Sequence, residues 1–509
     1  MKRFSPLVTV FVVFGALTLP YILAALIAGS DFLFIGFLFN PIDGASYLAK
    51  MQQGWAGSWR ASLPYTPEAQ DGAFIFIYYL LLGHLARWVN LPLIWMYHLA
   101  RLLGAGVLLA VLFGFCRRIF RGQPDQIRLA YLFCVLGSGM GWLVIFFGLL
   151  PSDFWVAEAY PFLSMFTNPH FPLGLALIVM VLDDLLVGDT PYRYPKLALL
   201  GLILSIVSQF GLVLLLVIAS TRLAWTWIET RRLEWRPIAS LGLIGGLFLL
   251  YQYYAILSDP ILSGWNAQNQ TPSPQAWDLL LSFSPALPLA AWGAFRLVRQ
   301  KNDPARSLLI SWLIVGVLLL SVPFPLQRRF ILGYYIPTAL LAVFGLADIV
   351  QRWPAWRRLP ELVLALALPT NLLIIVIGLA GAVNHSPELY LTRDEVRGLA
   401  WIEQETPERS IVIASPEMGR LIPAFTGRRV LYGHPFETLN AAQMEAEVLA
   451  FYQEPSQETV LKNYLCERHV DFIFYGPREQ ALGGSLNLNL HALVFQSGLV
   501  RIYSVEQAP

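Results

Sequence analysis

Charge is scarce through most of this sequence, so the few ionisable groups set among apolar residues are the places where chemistry is possible. Asp43 stands in the stretch Phe39-Asn40-Pro41-Ile42-Asp43-Gly44-Ala45-Ser46-Tyr47-Leu48-Ala49-Lys50, shortly after the first long apolar run. A carboxylate near a bilayer is costly unless it faces water or a partner, and one so placed can move a proton in a reaction. Its ordinary alternative is an Asp N-cap on an interfacial helix patterned through Tyr47, Met51 and Trp55. Arg328 and Arg329 form the second feature, in Pro323-Phe324-Pro325-Leu326-Gln327-Arg328-Arg329-Phe330. The planar fork of arginine matches phosphate oxygens in pairs, whereas the bland reading has both side chains snorkelling to lipid headgroups.

The elements that must carry these groups are membrane helices. The chain has 509 residues, 56% of them apolar and 13% charged, with a mean hydropathy of +0.57 and a net charge of +2. That composition excludes a set of soluble domains, and the small net charge gives no support for a nucleic-acid partner. Apolar runs recur from Leu7 to Val383. They are expected to form about eleven spans, at 7–29, 93–115, 128–150, 168–187, 195–207, 209–227, 238–257, 277–297, 306–323, 332–350 and 361–383. Met1-Lys2-Arg3 before the first run also describes a secretory signal; the length of the run and the lack of an A-x-A pattern favour a retained span. The segment from Ala73 to Val89, interrupted by His84 and Arg87, reads as an interfacial helix. Gly137 and Gly141, four apart, suit close helix packing in the third span.

Positive charge falls on one side of this arrangement. Arg117, Arg118, Arg121 and Arg128, then Arg193 and Lys196, Arg222 to Arg236, Arg296 to Arg306, and Arg352 to Arg358 lie between alternate spans. Positive loops stay in the cytoplasm, so the N-terminus is expected there and the C-terminal part outside, in a plasma or inner membrane. The expected organisation is a membrane domain over 1–383, with an outer loop at 30–92 carrying Asp43, followed by an extracytoplasmic α/β domain over 384–509. In the latter, Thr392 and Glu395 make a capping box. Short strands are expected at Ile411–Ala414, Arg429–Tyr432, Asp471–Tyr475 and Val500–Tyr503, with helices at 438–453 and 457–468. The stretch from Gly427 to Glu437 places charged residues at a strand end, where binding groups often lie. Cys116, Cys134 and Cys466 have no paired spacing, so neither disulfide framework nor zinc site is supported.

A first span, an outer loop with Asp43 and Tyr47 in a D-x-x-x-Y arrangement, a Pro/Gly-bounded apolar helix, and a span ending Cys116-Arg117-Arg118-Ile119-Phe120-Arg121 together resemble the GT-C membrane glycosyltransferases. The segment Phe76-Ile-Tyr-Tyr-Leu-Leu-Leu-Gly-His-Leu-Ala-Arg87 is similar to the stretch after the loop Asp in relatives of the dolichyl-phosphate-mannose protein mannosyltransferases. The likeness is best over roughly the first 190 residues, and the plan of many spans plus an extracytoplasmic domain agrees with it.

The resemblance implies transfer of a sugar from a polyprenyl-phosphate donor to a glycan, lipid or protein acceptor on the outer face. Asp43 would be the general base, with Arg328, Arg329 and, less directly, Arg101 holding the phosphate. Tyr47, Glu68, Asp71 and His170 would be available to line the acceptor cavity, although Asn168 as N-cap and Pro169 at N1 already account for the residues before His170. Members often carry two adjacent acids in the loop; here the second position is Gly44, which leaves a divalent metal possible but not indicated. Asp183 and Asp184 read as solvated. The segment from Asp259 to Trp277 reads as a mobile lid or an exposed loop, and Tyr251, Tyr253 and Tyr254 as an aromatic belt. Two rivals remain: a non-catalytic scaffold, and a lipid or polysaccharide transporter. The second predicts internal repeats and mid-span acids, and neither is visible in the sequence.

Overall fold

The structure is a computed structural model that describes residues 5–188, 190–300, 303–453, 458–483 and 492–505. Lys2 and Arg3 of the N-terminal reading, Lys301, and the first residue of the helix expected at 457 lie outside the described residues. The chain is mainly helical and is an integral membrane protein. Among the described residues, five helices are long and apolar enough to cross a bilayer: Pro6–Ile27, Leu93–Ile119, Gln209–Thr230, Arg236–Ser258 and Leu359–Val383. A sixth is added if the pair Ala276–Ser282 and Ala286–Val298, bent by 85°, counts as one broken span. Other expected spans are shorter helices, such as His170–Leu185 and Arg193–Val207. The latter is separate from Gln209–Thr230, because Ser208 adopts an extended backbone and its side chain caps the second helix through Gly211 N.

Two sequence expectations for the membrane helices fail for identifiable reasons. The span expected at 128–150 ends as an α-helix at Leu136 and continues in short 3-10 turns at Gly141–Leu143 and Ile145–Phe147. The run Gly137-Ser138-Gly139-Met140-Gly141 has little helical preference, and the Gly141 N–H is taken by the buried carboxylate of Asp153 at 3.0 Å. The glycines therefore sit at a helix break, and Gly137 also allows a close approach, since a Cβ there would meet Tyr335 of helix Tyr335–Arg352. Asp278, in the first turn of helix Ala276–Ser282, is buried and accepts from Ser152 N, Ser152 Oγ and Ser282 Oγ at 2.8, 2.6 and 2.7 Å. Asp183 and Asp184 are not simply solvated. Asp184 is buried between Arg193 and Lys196, at 2.9 and 2.7 Å, and Asp183 pairs with Arg118 at 2.5 Å.

By contacts the chain forms two compact units. One comprises Met1–Pro20, His98–Tyr251 and Thr271–Gly378; the other comprises Tyr21–Tyr97, Gln252–Gln270 and Leu379–Pro509. The second unit thus draws the first outer loop together with the C-terminal residues. It contains a small antiparallel pair, β1 (Phe32–Phe34) with β2 (Tyr390–Thr392), and a five-stranded sheet. That sheet is built from β3 (Ile411–Ile413), β4 (Arg429–Val430), β5 (Phe472–Tyr475), β6 (Ala492–Ser497) and β7 (Val500–Ser504), in the order β4-β3-β5-β7-β6. Strands β4, β3 and β5 are parallel, while β7 pairs antiparallel with both β5 and β6. The core under the sheet includes Ile413, Leu431, Val448, Tyr452, Leu465 and Ile473, all fully buried.

Helix Pro41–Trp55, which carries Asp43, is held in this unit by two glycine-mediated approaches. It crosses Ile77–Trp88 so closely that a Cβ on Gly54 would collide with the Leu80 carbonyl, and one on Gly83 with that of Met51. On another side packs helix Pro416–Thr426, itself pressed against the Tyr432–Gly433 backbone, where a side chain on Gly419 would have no room. At 12 residues, Ile77–Trp88 is too short to cross a bilayer.

Candidate functional site

Asp43 is not the N-cap of its helix. Asn40 holds that place, in the left-handed region at φ 46°, and Pro41 fills the first helical position. The Asn40 side chain accepts weakly from Asp43 N at 3.5 Å and donates from Nδ2 to Asp43 Oδ2 at 2.5 Å. Asp43 therefore lies in the first helical turn, where the helix dipole favours its negative charge, with its carboxylate 36% exposed. Capping being done by Asn40, the carboxylate is not needed to start the helix.

The second oxygen of Asp43 faces a residue that sequence spacing did not single out. His434 Nε2 lies 3.8 Å from Asp43 Oδ1, and the imidazole is only 4% exposed. Its other nitrogen, Nδ1, accepts the backbone N–H groups of Phe436 and Glu437 at 3.1 and 3.2 Å. A nitrogen that accepts two N–H bonds carries no proton of its own, so the ring hydrogen sits on Nε2 and points towards Asp43.

Two helical turns beyond Asp43, a buried ion pair ties the same helix to the same turn. Lys50 Nζ donates to Glu437 Oε1 at 2.7 Å and to Ser46 Oγ at 2.5 Å, and Ser46 Oγ donates to Glu437 Oε1 at 2.5 Å. Lys50 also lies 4.4 Å from the Phe76 ring centroid. Burial pushes the Glu437 carboxyl up, but the charge of Lys50 and the bonds from Lys50 and Ser46 outweigh it and hold the group below the usual carboxylate range. A depressed folded pKa stabilises the fold above the unfolded value and loses that contribution as pH falls through the folded value. Acid unfolding of wild-type protein in lipid is thus expected to steepen below about pH 4.5, and Glu437→Gln, followed by tryptophan fluorescence, should flatten that limb.

The remaining residues of the loop make contacts that brace it. Tyr47 stacks on Tyr79 at 4.3 Å with their planes 7° apart. Glu68 and Asp71 are exposed; the Glu68 side chain accepts from Thr66, and its carbonyl accepts from Arg429 at 3.1 Å. Arg429 also donates to Pro67 O, and Val430 N to Pro64 O, so the strand end holds the outer loop. The segment expected to be an exposed loop or lid from Asp259 folds as helix Pro260–Gln268, capped by Asp259. Trp265 in it meets Phe76 edge-on at 5.7 Å, and Gln268 Nε2 donates to the carbonyls of Phe436 and Thr438. Gly44 has a steric cause: a Cβ there would lie 2.5 Å from the Phe37 ring, leaving no room for a second carboxylate.

In the other unit, Arg328 stacks over Trp155, with its guanidinium carbon 4.6 Å from the ring centroid, and Arg329 Nη1 lies 3.8 Å from Glu158 Oε1. Both side chains are half-buried, in the short turn Gln327–Ile331. Arg101 is different. It is 1% exposed and donates to the carbonyls of Leu17, Met165 and Phe166 at 3.0 to 3.1 Å, so it ties the middle of helix Pro6–Ile27 to the segment at 165–166. His170 lies at the start of its helix, half-buried and against Phe171; the N-cap there is Pro169 rather than Asn168. Among the described residues, no three His, Cys, Asp or Glu side chains converge in a way that would hold a metal ion.

The helical plan shared with solved structures defines the class: the chain has the fold of the GT-C glycosyltransferases. Among them, ArnT from Cupriavidus metallidurans bound to undecaprenyl phosphate is 13% identical with a TM-score of 0.53, over 98% of this chain and 99% of that one. The Archaeoglobus fulgidus oligosaccharyltransferase is 11% identical with a TM-score of 0.55, over 92% of this chain and 67% of that one. Mycobacterial arabinofuranosyltransferase AftD is 15% identical with a TM-score of 0.55; the match covers 98% of this chain but 42% of that protein. No protein-family model and no curated protein matches the sequence.

Proposed function

We propose that the protein is a membrane glycosyltransferase that moves a sugar from a polyprenyl-phosphate donor to a hydroxyl of a glycan, lipid or protein acceptor on the extracytoplasmic face. The observation that carries this reading is Asp43: a carboxylate freed from capping, fixed at one end by Asn40 and still partly open to solvent, on a GT-C fold. In the reaction the acceptor oxygen attacks the anomeric carbon, the bond from that carbon to the phosphate oxygen breaks, and the hydroxyl proton passes to Asp43. The polyprenyl phosphate leaves with the electron pair. Its charge is met by Arg328 and Arg329, whose planar forks suit phosphate oxygens. Tyr47, Glu68, Asp71 and His170 keep only the weaker role of acceptor-side contacts.

Purified protein in lipid, given a panel of polyprenyl-phosphate donors carrying labelled sugars, is expected to release label to acceptor or water; no turnover of any donor would favour a non-catalytic scaffold. Two further outcomes follow from the same reading. Arg328→Ala and Arg329→Ala should each weaken donor binding by about 10- to 150-fold, the equivalent of a lost charged hydrogen bond of about 1.5–3 kcal/mol. Lysine at either position should recover only part of that loss, as measured by donor KM. A reporter enzyme fused after residue 509 should be active only outside the cytoplasm, and a cytoplasmic signal would overturn the orientation.

A further inference from the structure

We propose that His434 is a positioning residue for this transfer: its Nε2–H is aimed at Asp43 Oδ1 and fixes the orientation in which the carboxylate meets the acceptor hydroxyl. The inference rests on the reading of Asp43 as the base, and it concerns a residue nearly four hundred positions away in sequence, a separation like the 387 residues between Lys50 and Glu437.

Three observations converge on it. The ring cannot turn, because Nδ1 is engaged by two backbone N–H groups of its own turn. Nε2 is buried and has no hydrogen-bond partner among the described residues, although a buried polar atom without one is costly. Finally, Asp43 Oδ1 lies 3.8 Å from it, longer than a formed hydrogen bond. Such gaps are common in unliganded sites and close when substrate binds. With Asn40 on Oδ2 and His434 on Oδ1, the carboxylate has a donor at each oxygen, and a small shift of the Asp43 side chain completes the second bond.

Other titratable groups also lie near the pair, and the second carboxylate oxygen of Glu437, Oε2, is buried with no hydrogen-bond partner among the described residues. Helix Ile77–Trp88 brings Tyr79, whose hydroxyl is pushed up chiefly by burial and also by Tyr47, Tyr97, Tyr78 and the charge of Asp43. The turn brings Glu437, which is neutralised by Lys50. Tyr65 lies against the His434 ring at 5.6 Å between centroids, and its hydroxyl donates to Arg420 O.

Two substitutions separate positioning from folding. In His434→Asn the amide oxygen stands near the place of Nδ1 and keeps the turn, but no donor reaches Asp43; in His434→Gln the amide nitrogen stands near the place of Nε2 and restores it. Full-length protein in lipid nanodiscs, labelled with 13C at aspartate carboxyls, reports the Asp43 titration directly, with the signal identified by its loss in Asp43→Asn. A hydrogen bond to the charged form lowers a carboxyl pKa. His434→Asn should therefore raise the Asp43 midpoint by about one unit. It should also lower kcat about tenfold, with donor and acceptor KM unchanged and the acidic limb of kcat moved up with the midpoint. His434→Gln should stay within about twofold of wild type. Midpoints equal to wild type in both variants, or shifted equally in both, would overturn the proposal. If the midpoints separate while wild-type protein turns over no donor, the hydrogen bond stands and the glycosyltransferase reading falls.

Discussion

Asp43→Asn is expected to lower the rate of sugar transfer by about 10²- to 10⁴-fold, the range over which a positioned base accelerates proton removal. Donor and acceptor KM should stay close to wild type, because the amide has the shape of the carboxylate and binds neither substrate through its charge. Loss of fold is not a competing cause. Asp43 is partly exposed, its helix is started by Asn40 and Pro41, and removing an acid from a first turn costs up to about 1 kcal/mol. Transfer of labelled sugar, measured beside thermal unfolding of the same preparation, distinguishes the two. A variant that unfolds like wild type and still transfers within a few-fold of its rate would remove Asp43 from the mechanism while leaving the enzyme.

The second large effect is on stability. Lys50→Met should destabilise the Asp43-bearing unit by about 3–5 kcal/mol, because it leaves Glu437 buried and charged without its cation. The pair is sealed: Lys50 and Glu437 are 1% and 9% exposed. Replacing both, as in Lys50→Met with Glu437→Leu, should recover most of the loss, since apolar side chains of similar volume often match a buried ion pair. Denaturant unfolding in nanodiscs measures both variants. Losses that simply add in the double variant would show that the two residues act apart. The functional consequence is that Ser46, Lys50 and Glu437 lock the helix of Asp43 to the turn of His434, so Lys50→Met should also slow transfer even where the fold survives.

Legibility differed by the range of the signal. Local signals were readable. The Thr392–Glu395 capping box forms with both of its bonds, and strands β3, β4, β5 and β7 lie where β-branched and aromatic residues recur. Helix Pro416–Thr426 escaped, although Ser415 before Pro416 is an N-cap followed by proline at N1, because Pro423 inside it argues against a helix. Strand β6 also escaped: it is an edge strand with mostly exposed residues and a break in register between Leu493 and Phe495. In the membrane part, hydropathy located apolar segments but not helix breaks. Gly139 and Gly141 sit against Ser282 and Asp153, and only the folded chain brings those together.

The site divides in the same way. Asp43 was recognisable from its loop and its neighbours, and Gly427 to Glu437 stood out as a strand end with charged residues. What joins them was not readable. No periodicity connects Lys50 with Glu437 or Asp43 with His434, since both contacts depend on helix Pro41–Trp55 and the 434–438 turn meeting in space. Arg101 stood out as an arginine inside a span; its donors reach His98 Nδ1 and the carbonyls of Leu17, Met165 and Phe166, and no spacing in the sequence connects those residues.

The most direct measurement of the central claim is product stoichiometry in a single turnover, using donor labelled separately in sugar and phosphate and protein reconstituted in lipid. Wild-type protein should release one polyprenyl phosphate for each sugar moved to acceptor or water, and Asp43→Asn should release almost none. Sugar leaving with its phosphate still attached, or no bond cleavage with any polyprenyl-phosphate donor, would contradict the account.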